Sequence, residues 1–503
     1  MRSCELDRTQ RNSRRKIVII GTGVAGLVSA IRLATHGFTV LLLEQHAQVG
    51  GKMRTTDSLI GPVDAGPTVL TLRQIFDEVF LSAGRKLDDY VTLISQKIIA
   101  RHWWPDGATL DLYSDREQSA AAIQSFSGDR SAAEFRAYCE RCEQLFHGFE
   151  ELLLRNPNPR ITSLTWRVLR QPQLIRHMNI GQNLAGRLKR DFSDPRLAQL
   201  FGRYATYVGG SPVHTPAILG LIWHAEASGV WTVKGGMHQL ALGLSQLAVD
   251  LGASVQRQCK VERIEIQNGR VTGVALADGR RISADTVVFN GDPRALSVGA
   301  LGANSRRAAT RVLRYDRSYS ARVYSFAAEI SGCELVHHNV FFADDLISEF
   351  NDLQTGRIPK NPSLYLCAED RGQNHPTSGL ERFEIIANAP ANQQAHQDDD
   401  LDQWHQNIFR RLSNFGVTFH PVPTLQNLTT PRDFHHLFPE SLGALYGQSP
   451  HGMLAALKRP RAKTRLVGLY LAGGGTHPGA GVPMAALSGM HAAEAIVKDQ
   501  TLA

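Results

Sequence analysis

Lys16-Ile17-Val18-Ile19-Ile20-Gly21-Thr22-Gly23-Val24-Ala25-Gly26 opens the stretch whose reading decides the fold of this chain. The run KIVII is β-branched and bounded by glycine, which predicts a buried parallel strand. LVSAIRLATHG follows with helical apolar spacing, and a second strand, FTVLLLE, ends at Glu44. This is a βαβ unit with GxGxxG at its strand-to-helix turn. Gly21 permits the tight turn, Gly23 lets backbone N–H groups approach a pyrophosphate, and Gly26 lets helix and strand pack closely. The helix opening at Val24 and Ala25 turns its N-terminus to the phosphates. Glu44 lies about twenty residues on, where an acid can hold a ribose hydroxyl pair. The motif alone is a weak signal, but with strand, helix, second strand and acid in place it predicts a Rossmann-type dinucleotide site.

The chain of 503 residues is too long for one compact core, so two or more domains are expected. A hydrophobic content of 43% with 20% charged residues places it among globular rather than disordered chains. Lys+Arg exceeds Asp+Glu by 55 to 47, an excess that suits an anionic membrane surface or nucleic acid. No nucleic-acid-binding motif accompanies it. Cys4, Cys139, Cys142, Cys259, Cys333 and Cys367 are scattered, as in a reducing compartment. Cys139 and Cys142 form a CxxC in a polar helical pattern without further ligands nearby, so they read as two ordinary helix cysteines, and no metal site is expected. His337-His338 and His435-His436 are bare pairs and read as surface features. Residues 1–15 lack an apolar core and are expected to be a disordered lead rather than a signal peptide. No run approaches the ~18 apolar residues of a membrane span.

Glycine and proline between Ile60 and Leu70 mark tight turns rather than a regular element. TLRQIFDEVFLSAG resumes helical spacing. IIARHWWPDGATLDLY, 98–113, predicts a strand–turn–strand hairpin that begins a second domain. From 115 to 228 the pattern is helical and basic, with Arg155, Arg160, Arg167, Arg170, Arg176, Arg187, Lys189 and Arg190 among Leu, Ile, Trp and Met. Such an amphipathic segment can lie on anionic lipid, and it can equally be a surface helix pair with solvated arginines. Gly229 to Pro293 returns to β/α pattern, with hairpin turns at Asn268-Gly269 and Asp278-Gly279. The expected division is a nucleotide domain from 16–98, 229–295 and 456–503, with a substrate domain inserted as 99–228 and 296–455. In the latter, RVYSFAAEI, SLYLCAE and RFEIIANAP read as strands and LDQWHQNIFRRLSNFG as a helix, while ANQQAHQDDDLDQ reads as a loop and helix start. No internal repeat is present. The C-terminal GLYLAGGGTHPGAGVPMAALSGMHAAEAIV reads as strand, glycine turn and helix, and can bring backbone close to a ligand.

Gly50-Gly51-Lys52-Met53-Arg54, closely following Glu44, resembles the GG-(R/K)-x-R segment of FAD enzymes of the amine-oxidase and desaturase type. With it, DAGPTVLT, KGGM and AGGGTHPGAGVP resemble bacterial carotenoid desaturases of the phytoene-desaturase family, over essentially the full chain. Asp64 to Thr71 and Pro483 to Gly489 look more like the hydroxycarotenoid 3,4-desaturase branch (hydroxyneurosporene or methoxyneurosporene) than phytoene desaturases. The resemblance implies an α/β architecture: a Rossmann-type FAD-binding domain with an inserted α+β substrate domain. It implies that FAD is held by Gly21, Gly23, Val24, Ala25, Gly26, Glu44, Gly50, Gly51, Lys52, Arg54, Gly66, Gly474, Gly475, Thr476, Gly481, Val482 and Pro483.

The chemistry the family implies is removal of two hydrogens from a C–C bond to extend a polyene. A hydride leaves an allylic carbon for the flavin, and a proton leaves its neighbour. Asp64, Glu226 and His477 are candidates for the proton acceptor, and the sequence places none of them at the substrate. An apolar, membrane-resident substrate favours a monotopic contact through 155–190, on the inner, cytoplasmic face of a bacterial cell membrane. Without a second dinucleotide fingerprint, oxygen or a membrane quinone is the expected electron acceptor. Phytoene desaturase, a flavin amine oxidase and a non-catalytic lipid carrier are the competing readings. The intact glycine motifs speak against the carrier.

Overall fold

The computed structural model describes residues 15–373, 379–391 and 400–501. The expected disordered lead lies almost wholly outside the described residues, as does most of the acidic stretch before the helix Leu401–Asn414. The strand Lys16–Ile20 sits at the centre of a five-stranded parallel sheet. Its order is Leu469–Leu471, Thr286–Phe289, Lys16–Ile20, Thr39–Leu43, Ser254–Gln256. Alternate residues of the central strand serve opposite faces, as the twofold repeat of a strand requires. Ile17 and Ile19 pack among the helices Val24–Thr35, His238–Asp250 and Val482–Thr501. Val18 joins the core under a three-stranded antiparallel sheet, Val261–Gln267, Arg270–Leu276 and Arg281–Ser283. That hairpin set turns at Asn268-Gly269, where the sequence placed it.

The second layer is a large mixed sheet. Its order is Val417–His420, Ser320–Gly332, Glu381–Ala389, Leu364–Ala368, His338–Phe341, Ile98–Trp103, Thr109–Tyr113, with Leu428–Thr429 paired beside it on Ser320–Gly332. The hairpin expected at 98–113 is therefore its edge. Helices between Arg116 and Ala227 cover one end, around Phe135, Tyr138, Phe201, Tyr204 and Trp223.

Two sequence expectations change. The stretch at 60–70 contains a regular element, because Gly61–Asp64 pairs antiparallel with Thr55–Ser58. Pro62 is tolerated there because this two-stranded ribbon is all edge. His337 and His338 are not surface features: both are buried, since the strand His338–Phe341 lies inside the large sheet. His435 and His436 do lie half-buried and exposed.

The helices Val24–Thr35 and Val482–Thr501 cross where Ser29 Oγ donates to the carbonyls of Ala25 (2.8 Å) and Gly489 (3.0 Å). A Cβ at position 489 would stand 2.4 Å from the Ala25 carbonyl oxygen. Only glycine allows this approach. Gly489→Leu is expected to cost about 3 kcal/mol through forced separation of the helices. The denaturant midpoint of the variant, at unchanged slope, checks this.

Candidate active site

One continuous cavity of about 1320 Å³ runs between the parallel sheet and the large mixed sheet. Its first reach is lined by Gly21, Gly23, Val24, Ala25, Glu44, Gly50, Gly51 and Lys52, and it continues past Gly66 to Gly474, Gly475, Gly481, Val482 and Pro483. Fourteen of the seventeen cofactor residues expected from sequence thus share one wall system. Gly26, Arg54 and Thr476 do not line it. Gly26 works from behind, because a Cβ there would come within 2.3 Å of the Gly21 carbonyl. Arg54 donates to Thr429 Oγ1 at 3.1 Å, and Thr476 is fully buried beneath the C-terminal turn.

Glu44 shapes the loop as well as lining the cavity. Its Oε2 accepts from the Thr22 N–H (2.9 Å) and hydroxyl (2.6 Å), and its Oε1 from the His46 N–H (3.0 Å). Two supports were missed at the level of sequence. Asn290 closes the strand Thr286–Phe289, and its Nδ2 donates to the carbonyls of Gly21 and Gly23, both at 3.2 Å. The FN that ends a third parallel strand was the available signal. Arg459 had none: it donates to the carbonyls of Gly474 (2.8 Å), Tyr446 (3.0 Å) and Gln448 (2.9 Å), tying the C-terminal glycine turn to a distant loop.

The electrostatics of this reach call for an anion. Burial lowers the Lys52 ammonium to about 8, with Arg317 and Arg459 adding to the effect and Asp292 opposing it. The solvent Lys52 meets is that of the cavity it lines. Burial likewise lowers Arg459 to about 10. Two desolvated cations share the wall with the N-terminal turns of Val24–Thr35 and Val482–Thr501. Helix N-termini and cations together suit a pyrophosphate and an electron-rich ring.

Asp64, Glu226 and His477, the sequence candidates for a base, do not line this cavity. Asp64 accepts from the backbone N–H groups of Met237 and His238 and so clamps the KGGM loop. Glu226 Oε1 accepts from Arg203 (3.1 Å) and Tyr204 Oη (2.9 Å). His477 stacks on His491 and meets the Asn156 carbonyl at 2.9 Å, facing away.

The far reach is walled by the large sheet, through Ala321, Val323, Val340, Tyr365, Glu384, Ile386 and Asn388. Opposite stand Phe146, Phe149, Leu153, Leu164, Val168, Ile175, Met178 and Ile180. Glu384 is fully buried, and neither carboxylate oxygen has a hydrogen-bond partner. Burial, with Asp64 and Glu369 nearby, pushes it well above the usual carboxylate range, so it stands as a neutral acid. Tyr365 Oη bonds Thr68 Oγ1 (2.7 Å) and His338 Nδ1 (2.6 Å). His337, His338 and Cys367 offer ligand-capable atoms within 4.8 Å of one another, closed by a 3.5 Å contact from Cys367 Sγ to His337 Nε2. Burial keeps both imidazoles and the thiol neutral. Cys139 and Cys142 are buried on the helix Asp129–Phe149, with thiols pushed up to about 11 and about 12, which suits packing rather than reactivity.

The cavity reaches the helices Ile161–Arg170 and Pro172–Met178, where Ile161, Ile175 and Ile180 both line it and are exposed. Trp166 beside them is 61% exposed, with the Arg170 guanidinium 4.0 Å over its ring. The basic segment is not uniformly solvated. Arg155 is paired with Glu78 and Glu150, and Arg187 with Asp191, whereas Arg160, Arg170, Arg176, Lys189 and Arg190 are exposed. No helix among the described residues is long and apolar enough to cross a membrane.

This geometry is that of a dinucleotide-dependent oxidoreductase with a deep apolar slot. The family model described as flavin containing amine oxidoreductase matches residues 24–497. Two hydroxyneurosporene desaturases are similar over almost their whole lengths. That of Cereibacter sphaeroides is 51% identical over 484 residues (96% of this chain, 98% of the relative), and that of Rhodobacter capsulatus 44% over 488 (97% and 99%). An oxidoreductase from Methanosarcina mazei shares the fold, with a TM-score of 0.60 at 16% identity over 95% of this chain and all of that one. The chain belongs to the flavin-containing amine oxidoreductases and, within them, to the family of the hydroxyneurosporene desaturases.

Gly23→Val would push a branched side chain towards Asn290 Nδ2, which already lies 3.1 Å from a Cβ built at this position, and into the cavity. The purified variant is expected to lose flavin absorbance while its far-ultraviolet circular dichroism stays that of the parent.

Proposed function

We propose that this protein is an FAD-dependent carotenoid desaturase that introduces the C-3,4 double bond of a 1-hydroxycarotenoid in carotenoid biosynthesis. The observation that carries this reading is the continuity of the cavity. A glycine-lined, cation-bearing cradle for a dinucleotide opens without a break into a long apolar slot. The similarity to hydroxyneurosporene desaturases supplies the substrate class. In this reading Gly21 to Glu44 would hold the adenosine half of FAD, Lys52 and Arg459 would meet its charge, and the turn from Gly474 to Pro483 would hold the ring. When bound, the flavin supplies the hydride acceptor.

The chain's own part is orientation and dryness. The apolar walls hold an extended polyene in one track, which fixes the bond presented to the cofactor. Removing water keeps the electron-poor substrate from being trapped as an alcohol. Oxygen or a membrane quinone reoxidises the cofactor. The exposed apolar residues at the mouth, ringed by Arg160, Arg170 and Arg176, support a peripheral contact with the inner face of the cell membrane, from which the carotenoid enters.

A paired turnover assay tests the substrate. Purified protein with FAD and liposomes receives phytoene or a 1-hydroxycarotenoid, and a red-shifted product is expected from the hydroxylated compound alone. Conversion of phytoene alone overturns the 3,4-desaturase reading. For the membrane contact, Trp166→Glu with Ile180→Glu is expected to cut co-sedimentation with anionic liposomes roughly tenfold or more, since each change inserts a charge into the lipid-facing patch. Undiminished binding would return these helices to an ordinary surface role.

A further inference from the structure

A desaturase must take a proton as well as a hydride, and the three acidic or histidine candidates drawn from sequence stand away from the cavity. The titratable groups along the substrate reach can be sorted by what they are already bound to. Glu349 is committed to Asn388 and the Ser363 N–H. Glu384 is held protonated by burial beside two further carboxyls and has no proton to gain. Tyr207 Oη already receives the Arg203 guanidinium at 2.5 Å. Tyr365 differs. It lines the cavity, is bonded to Thr68 just past Gly66, and is backed by an imidazole nitrogen at 2.6 Å.

We propose that Tyr365 and His338 form the proton-accepting dyad of the desaturation, with Tyr365 at the substrate and His338 behind it. The role rests on the desaturase reading of the site, but not on which carotenoid is used. The C3–H bond breaks as its electron pair becomes the new C3=C4 π bond. The proton adds to Tyr365 Oη while the phenol's own proton passes to His338 Nδ1, leaving a neutral tyrosine and an imidazolium. The hydride from C4, the allylic carbon, is the flavin's share.

Two features of the surroundings fit this role. His338 Nε2 has no hydrogen-bond partner, and neither has Glu226 Oε2. Both residues border the same small void, with Arg203, Tyr207 and Tyr365 around it. Glu226 is thus a carboxylate on the same void as the imidazole, although the two share no hydrogen bond. Burial, His337 and Arg203 hold His338 well below the ordinary histidine range, so it rests neutral and able to accept. A weak base is enough, because a carbon next to an allylic centre that is losing hydride is strongly acidic.

Tyr365→Phe, His338→Gln and the double variant test this with whichever carotenoid the parent enzyme converts. Turnover is expected to fall roughly 100-fold in each single variant. The double variant should be no worse than either single, as for residues acting as a unit. Carotenoid affinity, read by fluorescence quenching of the flavin-free protein, and flavin occupancy, read by absorbance, should stay within about twofold of the parent. A substrate deuterated at C3 should show a larger isotope effect in the variants, since proton loss has become the slow step. Turnover above a third of the parent's, multiplicative losses, lost carotenoid or flavin binding, or an unchanged C3 isotope effect would each overturn the dyad. Failure of the desaturase reading would look different, since the parent itself would then convert no carotenoid.

Discussion

The contact on which the site depends is the crossing of two helices that are 460 positions apart along the chain, closed by Ser29 on the Gly489 carbonyl. Both helices begin at the cavity, one at Val24 and the other at Val482. Their close approach at Gly489 aims two N-terminal turns at one volume. Partial positive charge thereby faces the cavity at two points. Lys52 and Arg459 line the same cavity, desolvated by burial, with Asp292 as the opposing charge. The same crossing fixes the strands Lys16–Ile20 and Leu469–Leu471 in one sheet, with Thr286–Phe289 between them.

The second half of the cavity follows a different logic. Its polar groups are kept neutral or already bonded, and its walls are otherwise apolar. Glu384, which lines it without a hydrogen-bond partner, and His338, which stands behind Tyr365, are both held neutral by burial. A slot of this kind discriminates by length and by where its few polar atoms fall, rather than by charge.

How much of this could be read from sequence follows the locality of the interactions. The βαβ unit is local, so Gly21 through Glu44 announced its structure. The return of the chain at Thr286 and at Leu469 was legible because buried parallel strands are continuous apolar runs. The tyrosine–histidine pair was not. Tyr365 and His338 sit on neighbouring strands whose register places Val340 opposite Tyr365 and His338 opposite Cys367. A two-residue offset between paired strands leaves no mark in either segment, so a bare His-His pair looked like surface. Asp64, Glu226 and His477 drew notice because they flank glycine motifs, yet such motifs also need buried acceptors to hold their loops. That is what Asp64 does for Met237 and His238.

The order in which the sheet is assembled has a consequence for biosynthesis of the protein itself. The central strand is made first, its neighbour at Thr286–Phe289 more than half a chain later, and the outer strand Leu469–Leu471 with its helix later still. Until Gly489 has left the ribosome, the cofactor cradle lacks one wall and the apolar slot is open along its flank. The nascent chain therefore carries an unsealed hydrophobic trough through most of its synthesis. The cradle is complete only once the C-terminal helix has docked.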